Sequence, residues 1–288
     1  MVRVHEGIIH FALEDEPMET TNETFKISAA AAELYESQFV PALFAEWAPR
    51  LTELAGVAPG QAVLDVACGT GIVARTVADI QRGRDRVVGL DINEAMLDVA
   101  RRVRPEIEWR QGDAAQLPFA DGTFDVALCQ MAFMFFPDRT QVLREMARVV
   151  TAAGTVAFSV PSRLDAQPAY APFVEMAARH AGLEAKNLLG AYFASGDLDE
   201  LRRLVDAAGL QLTATRTYMG RVRCPSIDAF VATEVESTPL RERINDAVYA
   251  RIREEARALL RPHVTPGGAA EIPLEGHVIA ARPRRSAT

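Results

Sequence analysis

The sequence predicts an α/β protein built on a mostly parallel sheet, and three observations support this prediction. Apolar, β-branched stretches alternate with segments whose apolar residues recur at helical spacing. The first such stretch, residues 63–66, runs into the turn Ala67-Cys68-Gly69-Thr70-Gly71, after which helical periodicity begins at Ile72. A chain of 288 residues, 49% of them hydrophobic, can bury the core that a covered sheet needs. Repeated βαβ units are the expected architecture.

Five strands and the helices between them make up the predicted core, residues 57–161. Asn93 is a predicted helix N-cap, and Pro105 follows the end of that helix. Gly154 ends another helical stripe, which runs from Val142 to Val150. The predicted strands cover residues 63–66, 86–91, 107–111, 124–129 and 155–160.

The segments outside this core have less regular patterns. Residues 1–24 lack a sustained period and are predicted to form an arm that packs on a partner subunit, in a homodimer. Residues 25–56 are predicted N-terminal lid helices, and 162–196 an inserted lid segment of short helical pieces. Residues 197–288 return to the core with a helix capped by Asp197, strands at 211–218 and 277–281, and substrate-lid helices at 226–261 that Pro239 interrupts.

Composition excludes several classes of protein. The net charge of −8 disfavours a nucleic-acid partner, because a phosphate backbone attracts basic surfaces. The sequence has no run of about eighteen apolar residues and no leader-like N-terminus, so we expect a cytoplasmic protein without membrane contact. Cys68, Cys129 and Cys224 are too scattered for a disulfide framework or a metal site, and we expect them to be buried apolar residues.

The turn after the first strand predicts a nucleotide-type cofactor site. A parallel strand ends there, and Gly69 and Gly71 let a ligand approach the backbone. Residues 69–74 fit the G-x-G-x-x-A dinucleotide fingerprint, and Asp91 stands twenty residues after Gly71, where a carboxylate accepts from ribose hydroxyls. This stretch alone leaves NAD and S-adenosylmethionine (SAM) open.

The wider spacing of Asp65, Ala67, Gly69 and Gly71 resembles the first motif of class I SAM-dependent methyltransferases, D/E-x-G-x-G-x-G, with Ala67 in place of the first glycine. Later motifs resemble the methyltransferase-11 branch, which includes ubiquinone/menaquinone-type enzymes. These motifs are Gly112-Asp113-Ala114, Leu117-Pro118-Phe119, Asp121, Phe124-Asp125 and Leu143 to Val149 before Gly154. The similarity covers roughly residues 35–160. It implies SAM as cofactor and a seven-stranded sheet of order 3-2-1-4-5-7-6 whose last strand is antiparallel.

The resemblance assigns cofactor roles that the chemistry of each residue supports. The loop residues Ala67, Gly69, Thr70 and Gly71 would approach the methionyl part, and Asp65 would bind its amino group or fix the turn. Asp91 would bind the ribose, Ile92 and Met96 would contact an adenine face, and Asp113 and the Ala114 amide would bind the adenine edge. Gln130 would line the methionyl end, and Tyr35 would close over the sulfonium. Each of three residues has an alternative, structural role. Asp113 would cap its turn, Met96 would belong to the hydrophobic core, and Tyr35 would take part in ordinary helix packing.

Methyl transfer needs little more than positioning and water exclusion, because the sulfonium is already an activated leaving group. No catalytic residue is predicted; His180 is a weak candidate base, with a solvated helix histidine as the alternative. An apolar substrate pocket is predicted from Met131, Phe135, Tyr192 and Phe193.

The predicted function is methylation of a small apolar or aromatic molecule in specialised metabolism, with O-methylation preferred. Residues 130–138 do not match the corresponding segment of true menaquinone methyltransferases, so quinone or lipid C-methylation is the alternative. A non-catalytic SAM-binding regulator is the alternative from another class.

Overall fold

The computed structural model describes residues 28–236 and 238–284, together with the backbone of Val4–His5 and Ile8–Ile9, which pair as a short antiparallel ladder. The rest of the predicted arm, 1–24, lies outside the described residues. The chain divides into two compact units. Unit 1 comprises Met1–Leu43, Arg163–Ala194 and Met219–Glu275, and unit 2 comprises Phe44–Ser162, Ser195–Tyr218 and Gly276–Thr288.

A seven-stranded sheet has the order β3-β2-β1-β4-β5-β7-β6, which confirms the predicted order. The first five strands are parallel, and β7 runs antiparallel to β5. The strands are β1 (Val63–Val66), β2 (Val87–Asp91), β3 (Glu108–Gln111), β4 (Phe124–Gln130), β5 (Val150–Pro161), β6 (Leu210–Cys224) and β7 (Ala270–Pro283).

Pairing in the sheet places the ends of three strands side by side. Asp65 of β1 is level with Gly89 of β2 and with Leu128 of β4. The residues that follow, Ala67 after β1, Asp91 at the end of β2 and Gln130 at the end of β4, therefore reach the same edge of the sheet. An open α/β sheet binds ligands at this edge.

Eleven α-helical segments are described. In chain order they are α1 (Ala29–Leu34), α2 (Val40–Ala42), α3 (Trp47–Ala55), α4 (Ile72–Gln81), α5 (Glu94–Val103), α6 (Arg139–Val149), α7 (Tyr170–Gly190), α8 (Leu198–Ala207), α9 (Ile227–Glu236), α10 (Leu240–Arg243) and α11 (Asp246–Leu259). A π-helical turn, Tyr35–Phe39, joins α1 to α2. No described helix is both long enough and apolar enough to span a bilayer.

Local chemistry sets several helix ends, and those at Asn93 and Asp197 are as predicted. The Asn93 side chain accepts from the Met96 amide at the start of α5, and Asp197 accepts from the Glu200 amide at the start of α8. Gly56 ends α3 in the left-handed conformation. Such caps satisfy amides and carbonyls that lack a partner inside the helix.

The inserted segment is helical but not one continuous helix. Within residues 170–190, labelled α7, Gly182 has a φ of 79° and a ψ of −172°, which are not helical, so two helices meet there at a kink. Phe173, Val174, Met176 and Ala177 form the buried face of the first of them. Strands β5, β6 and β7 are longer than predicted.

Candidate functional site

The loop after β1 has an unusual backbone. Ala67 and Gly69 both have φ of 55°, and Gly71 has φ of 89°, so three of five residues adopt the left-handed region. The Gly71 amide donates to the Cys68 carbonyl (2.8 Å), and Gly71 then starts α4. Ala67 bears a side-chain penalty of about 1–2 kcal/mol that glycine would not. The chain therefore maintains this sharp turn at a cost in stability, as cofactor loops often do.

Asp91 braces this loop from the end of β2. Its Oδ2 accepts from the Gly69 amide (2.7 Å), and its Oδ1 accepts from the Asn93 amide (2.8 Å). Burial raises the pKa of Asp91, and these amide bonds oppose the rise. A carboxylate has about four acceptor positions, so these amide bonds leave capacity for a further donor. The geometry is compatible with the predicted ribose contact.

Asp65 lies deeper, 1% exposed, beneath the start of α4. Its Oδ2 accepts from the Ala74 amide (2.9 Å), in the first turn of that helix. Burial raises the pKa of Asp65 to about 8, against the opposing effect of the Ala74 bond. Of the two roles considered for Asp65, this contact supports the one of fixing the turn.

Trp109 was not predicted as part of this site, and its ring explains why glycine is needed at positions 71 and 89. A Cβ on Gly71 would lie 2.2 Å from the Trp109 ring, and a Cβ on Gly89 would lie 2.3 Å from it. The indole Nε1 donates to the Arg104 carbonyl (2.9 Å) and so holds the ring in place. The missing side chain of Gly71 therefore accommodates Trp109, and the approach of a cofactor to the Gly71 backbone stays a prediction. No local pattern reveals this contact, which depends on Gly89 pairing with Trp109.

The residues after β2 and β3 are unequally available to a ligand. Ile92 is 36% exposed, whereas Met96 is only 4% exposed, which supports its alternative role as core. The exposed Asp113 accepts from the Ala115 amide through Oδ1 (2.8 Å), so it caps its turn as the alternative proposed. Ala114 is buried next to it. The adenine roles of these four residues stay predictions.

The remaining family motif residues hold a loop rather than a ligand. Arg148 on α6 donates to the carbonyls of Leu117 (3.0 Å) and Phe119 (2.7 Å) and pairs with Glu145 (2.7 Å). Glu145 in turn accepts from the Leu117 amide (2.7 Å). Bonds to Arg148 lower the pKa of Glu145. This network fastens the 117–121 segment to α6.

The end of β4 carries a polar atom without a partner. The Gln130 amide nitrogen donates to the Phe44 carbonyl (3.1 Å), and its buried Oε1 has no hydrogen-bond partner among the described residues. Thr70 Oγ1, in the loop after the adjacent β1, is likewise buried and unpartnered there. Each such atom costs about 1–3 kcal/mol unless a ligand or water satisfies it. Met131 follows with a left-handed φ of 51° and is buried, and Phe135 is exposed.

These observations test whether the residues fit SAM. The unpartnered hydroxyl of Thr70 and amide oxygen of Gln130 suit the amino-acid end of the cofactor, and Asp91 suits its ribose. The loop from Ala67 to Gly71 presents backbone between them. We conclude that the site fits the cofactor.

The buried cysteines do not supply nucleophiles to this site. Burial is the main cause that raises the thiol pKa of both Cys68 and Cys129 far above the ordinary value. A thiol in that state stays protonated at neutral pH and is unreactive. The expectation that they act as small apolar residues is therefore favoured.

Four predicted site residues belong to unit 1. Tyr35 begins the π-helical turn and stacks on Phe39, with ring centroids 6.2 Å apart. His180 Nε2 lies 2.7 Å from a carboxylate oxygen of Glu255, and this contact ties α7 to α11. Tyr192 and Phe193 form a short 3₁₀ turn with edge-to-face rings. Their roles toward the cofactor and substrate stay predictions.

The sheet order, the loop after β1 and the carboxylate ending β2 together define a Rossmann-like α/β domain with the fold of class I methyltransferases. Residues 64–158 match the family model described as "Methyltransferase domain", Methyltransf_11. This match confirms the resemblance to the methyltransferase-11 branch and decides for SAM over NAD.

Curated relatives with names of quinone methyltransferases match part of the chain. A demethylmenaquinone methyltransferase of Renibacterium salmoninarum is 38% identical over 44% of this chain and 51% of its own length. A ubiquinone/menaquinone biosynthesis C-methyltransferase of Ectopseudomonas mendocina is 35% identical over 52% of this chain and 62% of its own. A 2-phytyl-1,4-naphtoquinone methyltransferase of Synechococcus elongatus is 33% identical over 44% and 55%. The chain thus spans between half and two thirds of these relatives.

Solved structures share the fold over a larger part of the chain. A protein of Bacillus halodurans C-125 with a methyltransferase name has a TM-score of 0.57 at 21% identity, over 82% of this chain and 99% of its own. SpnF, named a [4+2]-cyclase, has a TM-score of 0.53 at 18% identity, over 84% and 81%. One fold thus bears both names, and the fold alone does not define the reaction.

Proposed function

We propose that this chain transfers a methyl group from SAM to a small, largely apolar or aromatic acceptor, and that the acceptor is a quinone-type ring methylated on carbon. The observation that carries the proposal is the Asp91-braced loop after β1 with its unpartnered Thr70 and Gln130 side-chain atoms. The names of the curated relatives support carbon over oxygen as the methyl acceptor, so the initial preference for O-methylation is replaced.

The residues of unit 2 would bind and orient the cofactor. Asp91 would accept from the ribose hydroxyls, while the Thr70 hydroxyl and the Gln130 amide oxygen would bind the amino-acid end. Asp65 would keep α4 and the loop in register through Ala74. When bound, SAM supplies an electrophilic methyl group on a sulfonium leaving group. Catalysis would then rest mainly on orientation of the acceptor and exclusion of water.

Calorimetric titration with S-adenosylhomocysteine, beside NAD, tests the cofactor site. We expect micromolar binding of the homocysteine compound by the wild type, none of NAD, and at least a tenfold loss of affinity in Asp91→Ala. Asp98→Ala is the matched control, since it removes an exposed carboxylate on α5 that pairs only with Arg101 among the described residues. Thermal unfolding would verify that each variant is folded.

A screen with labelled SAM then tests the acceptor. Reduced short-chain prenyl naphthoquinones, simple phenols and catechols would be compared, and proton–carbon NMR would locate the new methyl group. Transfer to ring carbon supports the proposal, whereas a methyl ether would restore O-methylation. Tight binding of the homocysteine compound without transfer to any acceptor would support a non-catalytic SAM-binding protein instead.

A further inference from the structure

Two buried carboxyl groups hold the loop after β1, and both belong to unit 2. Asp65 lies near the end of β1, and Asp91 ends the adjacent parallel strand β2. Asp65 accepts from the Ala74 amide after the loop, and Asp91 accepts from the Gly69 amide within it. Neither carboxyl group forms an ion pair with a described residue. Both cannot ionise cheaply, because desolvation and mutual repulsion oppose the second charge.

The amide donors around the two groups decide which of them keeps a proton. Asp91 accepts from the amides of Gly69 and Asn93 through different oxygens, whereas Ala74 is the described side-chain bond of Asp65. Amide donors stabilise the ionised form of a carboxyl group. Asp65 is therefore the group that stays protonated. Burial raises the pKa of Asp65 to about 8, and the charge of Asp91 adds to the rise.

The other titratable groups that face Asp65 leave this assignment unchanged. Arg75 on α4 favours the ionised form of Asp65, but its effect is smaller than those of burial and of Asp91. Cys68 in the loop and Cys129 on β4 have raised thiol pKa values, chiefly because of burial, so both are neutral at pH 7. The ionisation of Asp65 therefore responds to any further charge that a ligand brings to the loop.

SAM and S-adenosylhomocysteine differ in exactly such a charge. SAM carries a sulfonium, an ammonium and a carboxylate, whereas the demethylated product has a neutral thioether in place of the sulfonium. In the proposed arrangement, Asp91 binds the ribose, and Thr70 and Gln130 bind the amino-acid end. The sulfur joins these two parts and so lies next to the loop that Asp65 supports. A positive charge there favours the ionised form of a nearby buried carboxyl group.

We propose that Asp65 makes this site prefer SAM over its demethylated product, by losing its proton when the sulfonium binds and regaining it when the sulfonium is consumed. This inference rests on the cofactor site of the proposed function and concerns residues of unit 2 alone. On binding, the O–H bond of Asp65 breaks and the proton goes to solvent. When the sulfur–methyl bond breaks, its electron pair stays on sulfur, which becomes neutral. Asp65 then takes a proton from solvent, and the product lacks the attraction that held SAM.

Calorimetry in phosphate and in Tris at pH 7 counts the protons that binding releases, because the two buffers differ in ionisation enthalpy. The count is corrected for the amino group of each ligand, whose titration is measured separately. We expect the wild type to release roughly half a proton per SAM and less than about 0.1 per S-adenosylhomocysteine. Asp65→Asn can still accept from Ala74 but has no proton to lose, so it should release less than about 0.1 with either ligand.

Asp125→Asn is the matched control for this substitution. Asp125 Oδ2 also accepts from a backbone amide, that of Ala62 (2.8 Å), but Asp125 lies near the start of β4, away from the loop. This variant should release as many protons as the wild type with each ligand.

The pH dependence of the two affinities gives the second readout. The ratio of SAM affinity to S-adenosylhomocysteine affinity should rise about fourfold more between pH 6.5 and 8.0 in the wild type and Asp125→Asn than in Asp65→Asn. A merely structural role of Asp65 would weaken both ligands together and leave this ratio parallel in all three proteins.

Equal proton release with both ligands in the wild type, or parallel affinity ratios in the wild type and Asp65→Asn, would overturn the proposal. The wild-type proton count decides by itself if Asp65→Asn does not fold. Failure of both ligands to bind the wild type would instead overturn the proposed function.

Discussion

The packing of Trp109 against two glycines makes a quantitative prediction about stability. Gly89→Ala places a Cβ 2.3 Å from the ring, and the overpacking should cost about 1–3 kcal/mol. Gly71→Ala places one at 2.2 Å and also puts alanine at φ of 89°, which adds about 1–2 kcal/mol of backbone strain. We therefore expect Gly71→Ala to cost about 2–5 kcal/mol, more than Gly89→Ala.

A double-mutant cycle with Trp109→Leu separates the two causes. A smaller side chain at 109 removes the clash but not the left-handed φ, so the cost of Gly89→Ala should fall below about 1 kcal/mol. The cost of Gly71→Ala should fall only to the strain of about 1–2 kcal/mol. Urea unfolding followed by far-ultraviolet circular dichroism measures all six proteins. If Gly89→Ala costs as much in the Trp109→Leu background as in the wild type, the packing argument is wrong.

Three further predictions concern the same unit. The pKa of Asp65 is about 8 in the native state and about 4 in the unfolded state, so between these pH values the unfolded state binds fewer protons. The free energy of unfolding should therefore fall as pH rises from 4 to 8, by at most about 1.4 kcal/mol per pH unit. Asp65→Asn, whose side-chain oxygen can still accept from Ala74, should flatten this slope in urea titrations from pH 4 to 8; parallel curves would refute it. Ala67→Gly should raise stability by up to about 1 kcal/mol, since glycine adopts φ of 55° without penalty; a destabilised variant in the same assay would argue against strain at this position. Arg148→Ala should cost about 1–2 kcal/mol and speed hydrogen exchange at the Leu117 amide; unchanged exchange there would show that the network does not hold the loop.

Features set by neighbouring residues in the chain could be predicted from the sequence. Asn93 and Asp197 cap their helices because their side chains reach amides three residues on. Asp91 ends its strand at the ligand-binding edge because strands in βαβ units are parallel, so consecutive strands end on one side. The order of the outer strands came from the resemblance rather than from the pattern, and the observed sheet confirmed it.

Features set by distant residues could not be predicted in this way. Trp109 and Gly71 are 38 positions apart, and only the pairing of β2 with β3 brings the indole beneath the loop. No local pattern distinguishes Glu234 from other polar residues of its helix, because its hydrogen-bond partner Tyr170 is 64 residues away.

The chain's own chemistry therefore decides where strands and helices begin, which residues turn left-handed and which polar side chains stand at strand ends. These properties depend on steric and hydrogen-bonding preferences over three or four residues. The tertiary structure alone decides which of those polar side chains become buried, which atoms lose their partners and which carboxyl groups keep a proton near neutral pH. Such properties depend on solvent exclusion by residues far apart in sequence, as Asp65 under α4 and Glu234 beside Tyr170 illustrate.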